Sequence, residues 1–450
     1  MSNMRLDGGA VQSSQFPYGI WVLAAAIGVC IVVAIVSPWL KRRVPHAWWA
    51  VWGFPSTALR VVWTWRRLAD LQGLSVARRP PLALVGGVVL RGRALRPVKP
   101  RMGFPRWQLG GLVVEVRLHP GQTPEEYAAA AESMAHAWRV FSVRVVSEQR
   151  GTVRLSALAW DPLVMPFTPL ARSAGFLSAV VGIWDDGAWW RIDLRKVPHW
   201  LIVGATRSGK STLIAALVHQ WSRQRVALVG IDLKGGMELS LFGPRLTALA
   251  STRSEAADLL DQLVEITLGR MALCRMEGVR SVWELPERER PVPVIVLVDE
   301  VAELYLMAST ADKAEVARVS TSMLRIGQLG AALGVHLVLA GQRFGSELGQ
   351  GVTSLRAQLG GRVCFRVADG GTAEMVLGDI DSTAVDAAQM ISEDYPGLAV
   401  ALGAPGGGWR RARTHAITTR QAEEIAKEFA HLTPAMVDLY PASVGGVGGE

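Results

Sequence analysis

The feature that most limits what this chain can fold into is a strand–loop–helix passage near its middle. Pro198 to Val203 (PHWLIV) is a short apolar run. Gly204-Ala205-Thr206-Arg207-Ser208-Gly209-Lys210-Ser211 comes next, and Thr212 to Trp221 is then apolar at helical spacing. The loop matches GxxxxGK[ST], and strand, glycine loop and helix is the context that this motif requires. Small residues let successive backbone N–H groups wrap phosphates, and the helix N-terminus adds partial positive charge. The expected ATP-binding residues are therefore Gly204, Ala205, Thr206, Arg207, Ser208, Gly209, Lys210, Ser211 and Thr212. Lys210 is expected to reach the β- and γ-phosphates, and the Ser211 hydroxyl to ligate Mg2+.

A partner motif stands further along. Val294 to Val298 (VIVLV) is an uninterrupted aliphatic run, as a strand buried on both faces of a parallel sheet should be. It ends in Asp299-Glu300. Asp299 is expected to hold magnesium, directly or through water. Glu300 is placed to polarise an attacking water as general base. Three more strands are predicted at Val226 to Asp232, Val335 to Gly341 and Gly361 to Val367, with helices at Ser254 to Glu277 and Asp312 to Leu333. Alternating strands and helices imply an α/β fold of three layers with a mostly parallel sheet. Gln342, at a strand end, is either a γ-phosphate sensor or a polar residue opening a loop.

The amino-terminal third has another character. Tyr18 to Leu40 carries no charge in 23 residues. As a helix it would be about 35 Å long, against a hydrocarbon core of about 30 Å. A transmembrane helix is expected here, with Lys41, Arg42 and Arg43 placing the rest of the chain in the cytoplasm. The net charge of +9 is concentrated just beyond: 14 basic residues and one acid between Lys41 and Gly110 give +13, so the remainder sums to −4. Anionic headgroups are the nearest partner for that charge. DNA competes for it, and over Arg91 to Arg106 both stay open. His46 to Trp65 holds five tryptophans interrupted by Gly53, Pro55 and Arg60. It reads as an interfacial or re-entrant segment, with a second crossing as the alternative. The cysteines, Cys30, Cys274 and Cys364, are odd in number and form no CxxC, which suits a reducing cytoplasm.

Leu112 to Leu118 alternates as a strand, and Thr123-Pro124-Glu125-Glu126 opens an Ala-rich helix to about Arg139 with the makings of a capping box. Ser142 to Val146 and Val153 to Trp160 are two more strands around a Gln149-Arg150-Gly151 turn. This β-α-β-β unit is half of a ferredoxin-like arrangement. The expected division is a tail over 1–17, a transmembrane helix over 18–40, and a basic Trp-rich region over 41–110 that includes the 47–65 segment. A small α+β domain over 111–192, a motor over 193–418, and a helix with a Gly-rich tail over 419–450 complete it.

Several segments in order resemble the FtsK/SpoIIIE family. They are Pro198-His199 before the loop, Ile231-Asp232 with Lys234 and Glu238-Leu239-Ser240, and Val298-Asp299-Glu300. Gly334 to Ala340 with Gln342-Arg343, Arg362 to Val367, and Leu377-Gly378 close the set. The likeness covers Val197 to Ile417. It implies a RecA-like motor in a ring, usually hexameric, that moves double-stranded DNA, with ATP sites between subunits, a membrane anchor and a small ring-stacking domain. This chain departs at Arg207, where the chromosomal translocases often have Gly, and at Gly341, where they often have Thr. The stretch after Ile417 is too short for the family's winged-helix module. The compact form resembles the conjugal transfer proteins of actinomycete plasmids and integrative elements, which move double-stranded DNA between cells. A chromosome translocase at the septum and a type VII-like export ATPase are the other functions the resemblance allows. An intersubunit site needs a cation from the neighbour; Arg362 and Arg366 are the candidates, with Arg325 behind them. Lys234 and Arg343 stand at strand ends where loops can face DNA.

Overall fold

The computed structural model describes residues 37, 45–77, 97–108, 110–147, 149–164, 175–307, 312–345, 348–349, 351–378, 382–402 and 408–441. They form two compact units, divided between Trp160 and Asp161. The expected transmembrane helix at 18–40 lies outside the described residues except for Ser37, as does the Gly-rich tail from 442. Among the described residues no helix is long and apolar enough to cross a membrane.

In the first unit, α1 (Pro45–Trp48) runs through a π-helical turn (Trp49–Gly53) into α2 (Phe54–Leu71). A short ladder of β1 (Val76–Ala77) with β2 (Pro97–Val98) comes next, then β3 (Arg101–Met102), β4 (Arg106–Gln108) and β5 (Gly111–Arg117). Helices α3 (Pro124–Ala129) and α4 (Ala131–Trp138) precede β6 (Ser142–Val146) and β7 (Thr152–Leu158). The antiparallel sheet has the order β3-β5-β7-β6, with β4 also on β5. Along β5 the inward residues Leu112, Val114 and Val116 alternate toward one core with Val61, Trp65, Tyr127, Met134 and Trp138, as the period of two requires.

Two expectations change here. The segment at 47–65 is not free for a second crossing, because one face of it is core. Trp49 and Trp65 are buried, and their indole N–H groups donate to the Gly111 carbonyl (3.0 Å) and the Pro100 carbonyl (3.1 Å). The single Ala-rich helix is broken at Ala130, and the Thr123 side chain makes no capping bond to the backbone.

The second unit opens with the hairpin β8 (Ser178–Trp184) and β9 (Trp189–Asp193), then β10 (Trp200–Val203), α5 (Lys210–Trp221), β11 (Ala227–Ile231) and β12 (Ala248–Ala250). It continues through α6 (Arg253–Met276), β13 (Val294–Val298), α7 (Val301–Tyr305), α8 (Asp312–Leu333) and β14 (Val335–Gly341). It ends with α9 (Val352–Gln358), β15 (Gly361–Phe365), α10 (Gly370–Ala373), α11 (Ser382–Gln389), β16 (Leu398–Leu402), β17 (Trp409–Thr414) and α12 (Thr419–Glu428). Ten strands form one sheet, β12-β11-β13-β14-β10-β15-β16-β17-β8-β9. The pairs from β12 to β15 are parallel, and those from β15 to β9 antiparallel. The sheet is thus mixed, six strands running parallel and four closing one side antiparallel, rather than mostly parallel throughout. The hairpin β8–β9 belongs to this sheet, so the small domain expected over 111–192 ends at Trp160.

The aliphatic run of β13 is explained by its neighbours. Val294, Val296 and Val298 enter the core that holds α6 and α8, while Ile295 and Leu297 enter the core that holds α5 and α12. Both faces are covered, so alternation vanishes.

Candidate functional site

Three parallel strands, β10, β13 and β14, end side by side. The loops that leave their ends meet at one cleft. The loop after β10 turns through Arg207 (φ +60°) and Gly209 (φ +120°), backbone that a side chain strains. A Cβ on Gly204 would lie 2.5 Å from Ser208 Oγ and 2.6 Å from Phe365 Cβ; one on Gly209 would lie 2.6 Å from Gly397 Cα. Contact requires glycine at both places, and at Gly209 conformation requires it too. The loop is held from outside by Ala205 N–H on the Arg366 carbonyl (2.8 Å) and Gly397 N–H on the Ser208 carbonyl (2.8 Å).

Lys210, the first residue of α5, is nearly buried, and its ammonium donates to the Gly204 (2.6 Å) and Ala205 (3.1 Å) carbonyls. Burial lowers its pKa, against the pull of the Glu300 and Asp299 carboxylates. Asp299 is buried at the end of β13. Burial first, then the neighbouring Asp232 charge, push its carboxyl up to about 6, with Lys234 acting in the opposite sense. Asp232 directly follows β11 and accepts from the backbone N–H groups of Lys234, Glu238 and Leu239. It fixes the turn that carries Lys234 over the cleft.

Glu300 is 4 % exposed and engaged through both carboxylate oxygens. Its Oε2 lies 3.1 Å from Lys234 Nζ and accepts from Gln342 Nε2 (3.3 Å), and its Oε1 accepts from Gln342 N–H (3.0 Å). Burial pulls the Lys234 ammonium down, and the Glu300, Asp299 and Glu303 carboxylates together more than offset this, so its pKa lies above the ordinary value. A Cβ on Gly341 would sit 3.0 Å from both Glu300 Oε1 and Val301 Cγ1. Glycine at 341 leaves the room that this carboxylate occupies.

The resulting cleft of about 360 Å³ is lined by Ala205, Thr206, Arg207, Gly209, Lys210, Ser211 and Thr212, together with Lys234, Met237, Glu238, Asp299, Gln342 and Pro396. The structure thus brings together the loop residues, Asp299 and Gln342 as expected from sequence. Ser208 faces inward instead, its Oγ buried and without a hydrogen-bond partner. Sequence reasoning misses Lys234 and the Pro396–Gly397 corner as parts of the site. Lys234 carries a signal, its place after a strand ending in Asp232; Gly397 carries none.

The expected arginine fingers Arg362 and Arg366 are both engaged within their own chain. Arg362 is buried within β15 and donates to the Arg356 carbonyl (2.9 Å). Arg366 pairs with Glu393 (2.9 Å) and reaches the Thr206 carbonyl (3.4 Å) of its own loop. Arg325 alone of the three is exposed, on α8. Arg343 pairs with Asp369 at 3.1 Å.

The site suits a magnesium nucleotide. A cradle that a Cβ would fill faces the start of α5, with a lysine inside it. Among the described residues no cluster of three metal-ligating side chains stands ready. Mg2+ is bound by one or two protein oxygens plus phosphates and water, and Ser211 and Asp299 both line the cleft.

Comparison with known proteins falls along the same division. The actinomycete conjugal transfer protein N-terminal domain matches residues 32–159, and the FtsK/SpoIIIE family matches 173–287 and 282–346. Transfer protein TraSA of Streptomyces ambofaciens is 41% identical over 335 residues, 72% of this chain and 80% of that protein. A sporulation regulatory protein of Streptomyces azureus is 48% identical over 251 residues, 56% of this chain and 82% of that protein. The solved structure of the pCW3 conjugation coupling protein TcpA, in monomer form with ATPγS, is 20% identical and has a TM-score of 0.51, covering 83% of this chain and 99% of that one. That likeness speaks to the fold. On the family matches and the TraSA relative, this chain, whose own loop and acidic pair are intact, belongs to the FtsK/SpoIIIE family of ATPases, in the branch that carries the actinomycete conjugal transfer N-terminal domain.

Proposed function

We propose that this protein is a membrane-anchored, ATP-driven translocase of double-stranded DNA that works in conjugal transfer, as a ring with ATP sites between subunits. The observation that carries the reading is the convergence of Lys210 and Asp299 on one cleft at three parallel strand ends, with Glu300 bonded to the cleft residues Lys234 and Gln342. The name of the TraSA relative supports the conjugal setting, and other relatives named DNA translocase FtsK support the cargo.

In this reading the backbone of 204–209 and Lys210 bind the phosphates, and Ser211 and Asp299 hold magnesium. The magnesium nucleotide supplies the phosphoanhydride bond and an electrophilic γ-phosphorus. Glu300 orients a water and takes up its proton. Gln342, bonded to Glu300 through its backbone N–H and its side-chain amide, ties that carboxylate to the cleft beside β14. Of the three candidate arginines Arg325 is the exposed one, and it is the one that reaches a neighbouring subunit in this reading. Residues 18–40 cross the membrane and leave both units on the cytoplasmic side.

The test is ATP hydrolysis by the full chain in lipid nanodiscs, with and without linear double-stranded DNA, against Lys210→Ala. Strong stimulation that weakens with added salt is expected. Turnover indifferent to DNA but raised by a secreted protein would replace this reading with protein export.

A further inference from the structure

The helix α2 has two apolar faces, and the fold uses one of them. Val61, Trp65, Leu68 and Ala69 pack inward. On the outer side, Val51 and Trp52 of the π turn and Leu59, Val62 and Trp63 of α2 are exposed, Trp63 at 77 %. An outward helix face in water is ordinarily polar. This one changes along its length: it is apolar through Trp63, then continues as Arg66, Arg67 and Asp70, all exposed. Its apolar end is the one nearer in sequence to the uncharged run. Only five steps of chain, at most about 18 Å, separate Leu40 from Pro45. Lys41, Arg42 and Arg43 fall in that interval.

We propose that the outer face of the π turn and α2 docks into the interfacial layer of an anionic bilayer. Val51, Trp52, Leu59, Val62 and Trp63 lie at the boundary of headgroups and acyl chains, and Arg66 and Arg67 bind lipid phosphates. Tryptophan favours that layer, and an apolar face continued by arginines is what an interfacial helix presents to it. The small domain is thereby a second membrane contact, peripheral and made by residues other than those of the crossing segment. This rests on the reading of residues 18–40 as the membrane anchor, which supplies the proximity. The buried face of the same helix fixes the orientation, since Trp49 and Trp65 are bonded to the backbone of the domain.

The test places a nitroxide on the full chain by Trp63→Cys in a Cys30→Ser background, Cys274 and Cys364 being buried. The protein is reconstituted in vesicles of phosphatidylethanolamine and phosphatidylglycerol, floated, and its label compared for accessibility to oxygen and to a water-soluble nickel complex. Leu59→Cys is the second position, and Arg150→Cys, in an exposed turn, the aqueous reference. An oxygen-to-nickel ratio several-fold above the reference at both positions supports the docking. So does a fall of that ratio toward the reference in Arg66→Glu/Arg67→Glu while flotation persists. A chain that floats with a reference-like ratio at 59 and 63 overturns the docking and leaves the anchor standing. A chain that does not float overturns both. A label shielded from both agents, and released on dilution with unlabelled protein, means that a second copy covers the face and also overturns the proposal.

Discussion

The Lys234 ammonium lies 3.1 Å from the Glu300 carboxylate, so the residue placed to activate water is charge-paired from a different strand end. Lys234 is well exposed on its outer side while Glu300 is buried. The pair therefore links the surface of the motor to its chemistry. Gln342 holds the same carboxylate from the other side, so its position depends on two elements, the turn after β11 and the end of β14.

Lys234→Ala is expected to lower kcat for ATP by up to about 100-fold, the scale of a catalytic group displaced by about 1 Å, with KM little changed. Lys234→Arg should recover part of the loss. Steady-state kinetics decide it: a raised KM at constant kcat would make Lys234 a nucleotide contact instead.

Gly209→Ala should abolish nucleotide binding, because the new methyl meets Gly397 and the backbone is at φ +120°. Lys210→Ala should bind weakly and not turn over. Binding of a fluorescent ATP analogue separates the two, and near-normal affinity in Gly209→Ala would show that the loop opens away from Gly397.

Two buried histidines predict acid sensitivity of the motor. Burial lowers His199 to about 4, and burial with the nearby His199 charge lowers His336 to about 3. The unfolded chain takes up both protons below about pH 6.5, while the folded chain does not until these lower values. The unfolded state holds more protons in between, so stability falls as pH drops from about 6.5 toward 4. His336 bonds the Pro198 carbonyl at 3.1 Å, a contact Asn can imitate. The drop in Tm from pH 7 to pH 5 should be smaller in His336→Asn, and an equal drop would remove His336 from the account.

Trp49→Ala should cost the small domain about 3–5 kcal/mol, through a lost core side chain and its bond to Gly111. Hydrogen exchange should rise across 101–158, while the exchange of β13 and β14 stays unchanged. Loss of protection in both units would mean that they unfold together.

Much of the motor is legible in the sequence because its signals are local. The loop at 204–211 and the aliphatic run before Asp299 each declare their structure within a few residues. The helix at 312–333 and the strand at 335–341 also fall where periodicity puts them. The parts that escape are non-local. Strands β16 and β17 form an antiparallel extension that reaches β8 far away in sequence, and Trp409 to Thr414 (WRRART) has no uninterrupted apolar run to mark it. Arg362 resembles a surface cation in the sequence because its strand is flanked on both sides by partners distant in the chain, and the Arg356 carbonyl that accepts from it cannot be placed by periodicity. The segment at 47–65 misleads for the opposite reason: its tryptophans suit a membrane interface as well as a core, and Trp49 and Trp63 of the same helical stretch face opposite ways.

The hairpin that opens the motor has a further consequence for the order in which the molecule can be built. Strand β8 pairs with β17, Trp184 opposite Ala412, and Arg410 closes on Asp185 across 225 residues of sequence. The first strand of the motor to leave the ribosome therefore has no partner on that side until nearly the whole motor has been synthesised. Contacts of such separation form late and slowly, and an unpaired strand edge invites pairing with another chain. A nascent motor halted before residue 409 would carry that edge bare, which makes the last strand, rather than the nucleotide loop, the step that seals the domain against aggregation.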